Sequence, residues 1–78
     1  MPANIVIYTT PTCAFCHAAK EFFKEHSVTY TEHDVATDEV SREEMIHLSG
    51  QMGVPVIKVG EEIIVGFNKP RLAELLGV

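Results

Sequence analysis

The chain has 78 residues, of which 46% are hydrophobic and 22% are charged, and its formal net charge is −5. This composition excludes a disordered tail, and the length predicts one small domain over residues 1–78. The acidic balance excludes a nucleic-acid surface, which needs clustered lysine and arginine. No apolar run approaches the ~20 residues that span a bilayer, and the start of the chain does not resemble a signal peptide. We therefore expect a cytoplasmic protein with no membrane contact.

The first half of the chain predicts a strand, a helix and a second strand. β-Branched and aromatic residues favour strands over residues 4–9 and 28–35. Between them, apolar residues at helical spacing predict a helix over residues 13–26. The apolar stripe of this helix consists of Phe15, Ala19, Phe22, Phe23 and His26.

The second half predicts a helix, a hairpin and a last helix. Acidic residues in the first turn mark a helix over residues 38–49, and a tight connection joins strands over 54–59 and 63–65. The last helix begins at Asn68 or Lys69, with Pro70 near its start and Gly77 near its end. This βαβαββα order predicts parallel strands first and an antiparallel hairpin later. The expected architecture is a three-layer α/β/α sandwich around a four-stranded mixed sheet.

The two cysteines of the chain, Cys13 and Cys16, stand three positions apart where the first helix is expected to begin. Unpaired N–H groups and the positive end of the helix dipole favour a thiolate there, and thiols at i and i+3 can close a disulfide. In the cytoplasm such a pair is more often catalytic than structural. The spacing predicts thiol–disulfide exchange, in which Cys13 attacks and a shielded Cys16 resolves the mixed disulfide.

Three separated motifs, together with the element order, resemble the thioredoxin fold in its minimal, glutaredoxin-like form. They are Thr12-Cys13-Ala14-Phe15-Cys16, Gly53-Val54-Pro55 before the third strand, and Val65-Gly66-Phe67-Asn68 after the fourth. The resemblance covers essentially the whole chain. It implies a monomeric dithiol oxidoreductase that reduces protein or low-molecular-weight disulfides. The Cys13–Cys16 pair would be its own redox centre, with no bound cofactor and no metal, and the reductant would be glutathione or thioredoxin reductase.

The resemblance also implies where substrates bind. Val54 and Pro55 match a loop in which the family places a cis-proline, leaving the Val54 backbone N–H and C=O free to pair with an extended substrate. Phe15 stands where glutaredoxins usually carry Tyr, so it either contacts the substrate or belongs to the apolar stripe of the helix. Arg42 matches a position that meets the glycine carboxylate of glutathione. The other expected substrate contacts are Thr12, Gly66, Phe67 and Asn68.

Three departures from the glutaredoxin pattern concern glutathione. Thr10 stands where many members carry Lys, Gly53 replaces the usual Thr, and no Asp follows Asn68. Each departure removes a polar or charged contact, so we expect slow turnover with glutathione. The Gly-Phe pair at 66–67 with Pro70 resembles instead the small redoxins that take electrons from thioredoxin reductase and pass them to ribonucleotide reductase.

Two other chemistries fit parts of the sequence. Residues 13–17 read Cys-X-X-Cys-His, the attachment pattern of c-type haem, which would need an exported and largely helical chain. An iron–sulfur cluster shared between two chains is the second alternative, and it would need a fully formed glutathione site. A structural zinc site is not expected, because two cysteines and scattered histidines do not supply four close ligands.

Overall fold

The computed structural model describes residues 4–78, so residues 1–3, which bear on the expected absence of a signal peptide, lie outside the described part. Within residues 4–78, none of the helices combines the length and apolar character that crossing a bilayer requires. The elements follow the predicted order. They are β1 (Ile5–Thr9), α1 (Ala14–Glu25), β2 (Thr31–Asp34), α2 (Glu39–Ser49), β3 (Val56–Val59), β4 (Glu62–Val65) and α3 (Lys69–Leu76).

The four strands form one mixed sheet in the order β2-β1-β3-β4. β1 runs parallel to β2 and antiparallel to β3, and β3 and β4 form the expected hairpin. Tyr8 near the end of β1 pairs with Val56 at the start of β3, and Val56 pairs with Val65 at the end of β4. The loops that leave β1, enter β3 and leave β4 therefore meet at one end of the sheet.

The sheet is covered on both faces, which confirms the three-layer sandwich. Because successive side chains on a strand point to opposite faces, each central strand serves two cores. One core packs α1 and α3 on the sheet and is formed by Ile5, Ile7, Ala19, Phe22, Phe23, Ile57, Val59, Ile64 and Leu72. The other packs α2 on the opposite face and is formed by Tyr8, Val35, Met45 and Val56.

Two strands begin two or more residues later than predicted. β2 begins at Thr31 instead of residue 28, because Ser27 turns the chain with a φ of 55° and pairing with β1 begins only at Thr31, opposite Val6. β3 begins at Val56 instead of residue 54, since residues 54 and 55 belong to a loop whose Val54–Pro55 peptide bond is cis. The shortened ends leave the loop before β3 outside the hydrogen-bond ladder of the sheet.

The predicted stripe of α1 is wrong at its first and last positions, since His26 is exposed and follows the end of the helix. Ala19, Phe22 and Phe23 are buried as expected, but the side chain of Phe15 is 66% exposed. Cys16, which is 1% exposed, takes the inward position on the first turn. Either residue is compatible with the helical spacing of the buried positions, and the packing of α1 on the sheet places the cysteine inward.

Side chains and glycine bound α2 as the sequence indicates. The Asp38 carboxylate accepts hydrogen bonds from the backbone N–H of Ser41 at 3.1 Å and from its hydroxyl at 2.8 Å. This is the usual N-cap arrangement, in which a short polar side chain satisfies an unpaired N–H of the first turn. At the other end Gly50 adopts a left-handed φ of 74° and ends the helix.

Candidate active site

Cys13 lies at the corner between β1 and α1 and is the N-cap residue of the helix. Its Sγ accepts a hydrogen bond from the backbone N–H of Cys16 at 3.2 Å, and its own N–H donates to the Thr10 carbonyl at 3.3 Å. The side chain is half-buried, whereas structural thiols are usually enclosed. This sulfur thus combines access to solvent with a backbone donor and the positive end of a helix, the conditions that stabilise a thiolate.

Cys16 lies one turn further along α1 and is buried. Burial, and to a smaller extent the hydrogen bond with Cys13, raise the pKa of its thiol to about 12. A backbone hydrogen bond from Thr10 and the positive charge of Lys20 act in the opposite direction but do not cancel the effect of burial. Both cysteines are free thiols in this structure. The pair therefore consists of one accessible sulfur and one enclosed, protonated sulfur.

The loop before β3 contacts the accessible thiol directly. Cys13 Sγ lies 3.8 Å from the carbonyl oxygen of Val54, and the Val54–Pro55 peptide is cis as the family resemblance implies. The N–H of Gly66, which follows β4, donates to the Pro55 carbonyl at 2.8 Å. Within residues 4–78 the N–H of Val54 donates to no protein acceptor. The structure thus brings together parts of all three sequence motifs and leaves a backbone donor free beside the thiol.

Thr12 and Phe15 flank Cys13 in sequence, and both are exposed. Neither side chain is drawn into the core, so the apolar stripe does not account for Phe15. The prediction that these two residues contact substrate is compatible with their position.

The remaining predicted contacts have structural partners of their own. Phe67 packs against the core, with its ring 6.0 Å from that of Phe22. Asn68 is the N-cap of α3, and its Oδ1 accepts a hydrogen bond from the backbone N–H of Arg71 at 3.2 Å. Arg42 on α2 lies 3.9 Å from Glu39 on the surface. Substrate binding by these three residues stays a prediction.

A polar network beside Cys16 was not predicted from the sequence. Lys20 Nζ lies 2.9 Å from Glu32 Oε2, which also accepts a hydrogen bond from the Thr9 hydroxyl at 2.7 Å. The hydrogen bond between them raises the pKa of Lys20 and lowers that of Glu32. Lys20 lies four positions after Cys16 on the same face of the helix, and this spacing could have indicated that the lysine is close to the thiol. Glu32 could be assigned only once the pairing of β2 with β1 was known.

The haem alternative is not supported by the geometry. In the described part of the chain, no three His, Cys, Asp or Glu side chains are grouped closely enough to hold a metal ion. His17 is exposed, with Nε2 3.3 Å from the Pro11 carbonyl. The haem hypothesis depended on a largely helical chain, whereas this fold is built around a four-stranded sheet.

Comparisons with known proteins agree with this arrangement. The glutaredoxin family model matches residues 5–64. The chain is 47% identical over 72 residues to an uncharacterized glutaredoxin-like 8.6 kDa protein in the rubredoxin operon of Clostridium pasteurianum, covering 92% of this chain and 96% of that protein. It is 39% identical over 64 residues to glutaredoxin 3 of Escherichia coli K12, covering 82% and 77% of the two chains.

Among solved structures, the fold resembles the glutaredoxin-like protein NrdH-redoxin of Escherichia coli, which has a thioredoxin-like activity profile. The TM-score is 0.81 at 25% sequence identity, and the match covers 92% of this chain and 93% of the other. The similarity therefore extends over both chains almost completely.

Proposed function

Because the chain belongs to the glutaredoxin family of thiol–disulfide oxidoreductases, we propose that it is a monomeric cytoplasmic dithiol reductant of protein and low-molecular-weight disulfides. Cys13 and Cys16 are the residues that carry the electrons. The observation that supports this most strongly is the asymmetry of the pair: one half-buried sulfur at a helix N-terminus and one buried, protonated sulfur a turn away. An attacking thiolate and a protected resolving thiol need these two different environments.

In the first step, Cys13 as thiolate attacks one sulfur of the substrate disulfide. A bond forms between that sulfur and Cys13 Sγ, the substrate S–S bond breaks, and the other substrate sulfur leaves as a thiolate that takes up a proton. The N–H of Cys16, 3.2 Å from Cys13 Sγ, stabilises the negative sulfur before the attack. The Cys16 proton keeps the second thiol unreactive during this step.

In the second step, Cys16 loses its proton and attacks Cys13 Sγ. The Cys13–Cys16 disulfide forms and the mixed disulfide breaks. The second substrate sulfur leaves as a thiolate and takes up a proton in place of the one that Cys16 gave to solvent, so two electrons have passed to the substrate. Formation of the mixed disulfide removes the negative charge and the hydrogen-bond acceptance of Cys13, which both raise the pKa of Cys16. Lys20, which lowers that pKa, continues to act. The resolving thiol therefore becomes easier to ionise at the stage when it is needed.

The substrate chain is expected to lie along Val54. Its free N–H and its carbonyl, 3.8 Å from Cys13 Sγ, offer one donor and one acceptor to an extended peptide. Such backbone pairing recognises the main chain next to a disulfide independently of its side chains. It would align the substrate sulfur with Cys13 without demanding a particular sequence.

The electron donor that returns the disulfide to two thiols is proposed to be a flavin-dependent thioredoxin reductase. Thr10 stands where many glutaredoxins carry Lys, and Gly53 stands where they usually carry Thr. No Asp follows Asn68, whose own side chain caps α3. A hydrogen bond to a charged group contributes roughly 1.5–3 kcal/mol, so two lost contacts weaken glutathione binding by a hundredfold or more. The thioredoxin-like activity profile of NrdH-redoxin supports this donor. The resemblance of Gly66, Phe67 and Pro70 to the small redoxins makes ribonucleotide reductase a second candidate recipient of the electrons.

A comparison of reductants tests this proposal. The oxidised protein is mixed with NADPH and either thioredoxin reductase or glutathione plus glutathione reductase, and NADPH consumption is followed. We expect faster reduction by thioredoxin reductase, and none with Cys13→Ser, which cannot form the disulfide. Fast glutathione-coupled reduction of hydroxyethyl disulfide that is lost on Arg42→Ala would overturn the proposed donor.

A further inference from the structure

The side chain of Gln51 folds over the peptide groups of Gly53, two residues ahead. Its Oε1 accepts a hydrogen bond from the Gly53 N–H, and its Nε2 donates to the Gly53 carbonyl at 3.1 Å. The same Nε2 lies 3.2 Å from the hydroxyl of Ser49, which donates in turn to the Met45 carbonyl of α2 at 2.7 Å. One carboxamide thus ties both backbone groups of Gly53 to the end of α2.

The lack of a side chain at position 53 permits this contact. A Cβ built on Gly53 would lie 2.6 Å from Gln51 Oε1, closer than real Cβ atoms approach a neighbour. The backbone of Gly53 is not in the left-handed region, so its conformation alone does not require glycine. The absent side chain leaves space that the Gln51 carboxamide occupies.

We propose that Gln51 is a positioning residue, whose carboxamide holds the Gly53 peptide and so fixes the backbone of Val54 that receives the substrate chain. The inference rests on the proposed function and adds to it a group that does not itself touch substrate. Gly53 is the residue immediately before Val54, whose carbonyl lies 3.8 Å from Cys13 Sγ. A Val54 backbone already ordered in the free protein loses less conformational freedom when a peptide binds. The contribution of Gln51 should therefore appear in binding and not in the rate of sulfur transfer.

Single-turnover kinetics of the reduced protein test this without any electron donor. Because the chain has no tryptophan, the reaction with excess insulin is stopped with acid and the products are separated by chromatography. For Gln51→Ala we expect the half-saturating insulin concentration to rise roughly three- to tenfold, as for the loss of one hydrogen bond. The limiting rate should change less than about twofold on the same argument that the chemical step is unaffected.

Hydroxyethyl disulfide supplies the matched substrate control, because it has no peptide backbone to pair with Val54. Its rate should be the same for wild type and Gln51→Ala. Unchanged half-saturation with insulin, or an equal loss of rate with hydroxyethyl disulfide, would overturn the role of Gln51. If the wild-type protein itself does not reduce insulin, it is the proposed function that fails.

Two further variants separate positioning from general stability. Asp38→Ala removes the cap at the far end of α2, so it should destabilise the protein and leave half-saturation by insulin unchanged. Gly53→Ala should raise half-saturation because its Cβ displaces the carboxamide, and it should add nothing in the Gln51→Ala background. An Asp38→Ala effect as large as that of Gln51→Ala, or additive effects at residues 51 and 53, would contradict the inference.

Discussion

The buried proton of Cys16 should make the stability of the reduced protein fall in mildly alkaline solution. Folding raises the pKa of this thiol from its ordinary value of 9.0 to about 12, chiefly through burial. As pH rises above 9, the unfolded chain releases the proton before the folded chain does. The stabilisation linked to this proton is therefore fully present below pH 9 and is lost between pH 9 and 12.

The size of the effect follows from the two pKa values. Between pH 7 and pH 10 the free energy of unfolding should fall by about 1.4 kcal/mol, because each unit of pKa difference that is titrated corresponds to about 1.36 kcal/mol. A second buried group, Tyr8, also has a raised pKa, through burial and its hydrogen bond to Glu44. Tyr8 contributes equally to the pH dependence of stability in every variant that keeps it. The difference in stability between wild type and a variant that lacks only the Cys16 thiol therefore reports on Cys16.

Urea unfolding of wild type and Cys16→Ala, both kept reduced, measures that difference at pH 7, 8, 9 and 10. Cys16→Ala should be less stable at neutral pH, because a buried sulfur is lost, but its stability should decline less steeply with pH. The difference in free energy of unfolding between the two proteins should shrink by about 1.4 kcal/mol from pH 7 to pH 10, because only wild type loses the stabilisation linked to the Cys16 proton. Parallel curves would refute the conclusion that burial holds the proton on Cys16.

The assignment of roles and the cap of α3 give two more predictions. Cys13→Ser should abolish reduction of insulin, whereas Cys16→Ser should accumulate a mixed disulfide between Cys13 and an insulin chain, visible by mass spectrometry without reductant; equal inactivity with no adduct would contradict the roles. Asn68→Ala should lower the free energy of unfolding in urea by about 1 kcal/mol, the usual cost of a lost N-cap, with insulin kinetics unchanged. Impaired insulin reduction at unchanged stability would instead make Asn68 a substrate contact.

Local patterns were sufficient to predict the order of the elements and the site of the thiols. β-Branched runs and helical spacing report directly on strands and helices, and Cys13 at the start of a helix is visible in sequence. The burial of Cys16 was expected, but the outward position of Phe15 was not predictable in this way. The helical period admits both residues and hydrophobicity favours the phenylalanine, so the contacts of α1 with the sheet decide.

The parts of the site that depend on tertiary distances were also beyond the sequence. Val54 was placed near the thiol by family resemblance, and no local pattern indicates that its carbonyl lies beside Cys13 Sγ. The ion pair of Lys20 with Glu32 requires the register of β2 on β1, which the turn at Ser27 shifts from the expected start. The contact of Gln51 with Gly53 is local in sequence, yet it depends on a side-chain conformation that propensities do not specify.

The two edge strands of the sheet, β2 and β4, affect the tendency of the protein to aggregate. β2 and β4 are each four residues long, and β2 reads Thr-Glu-His-Asp, a polar and charged sequence with every residue exposed or half-buried. Short, charged edge strands discourage chains of other molecules from adding to a sheet. A protein that binds extended polypeptides through the backbone of Val54 would be prone to aggregate if the edges of its sheet also bound them. The composition of β2 therefore discourages open-ended strand addition at this edge of the sheet.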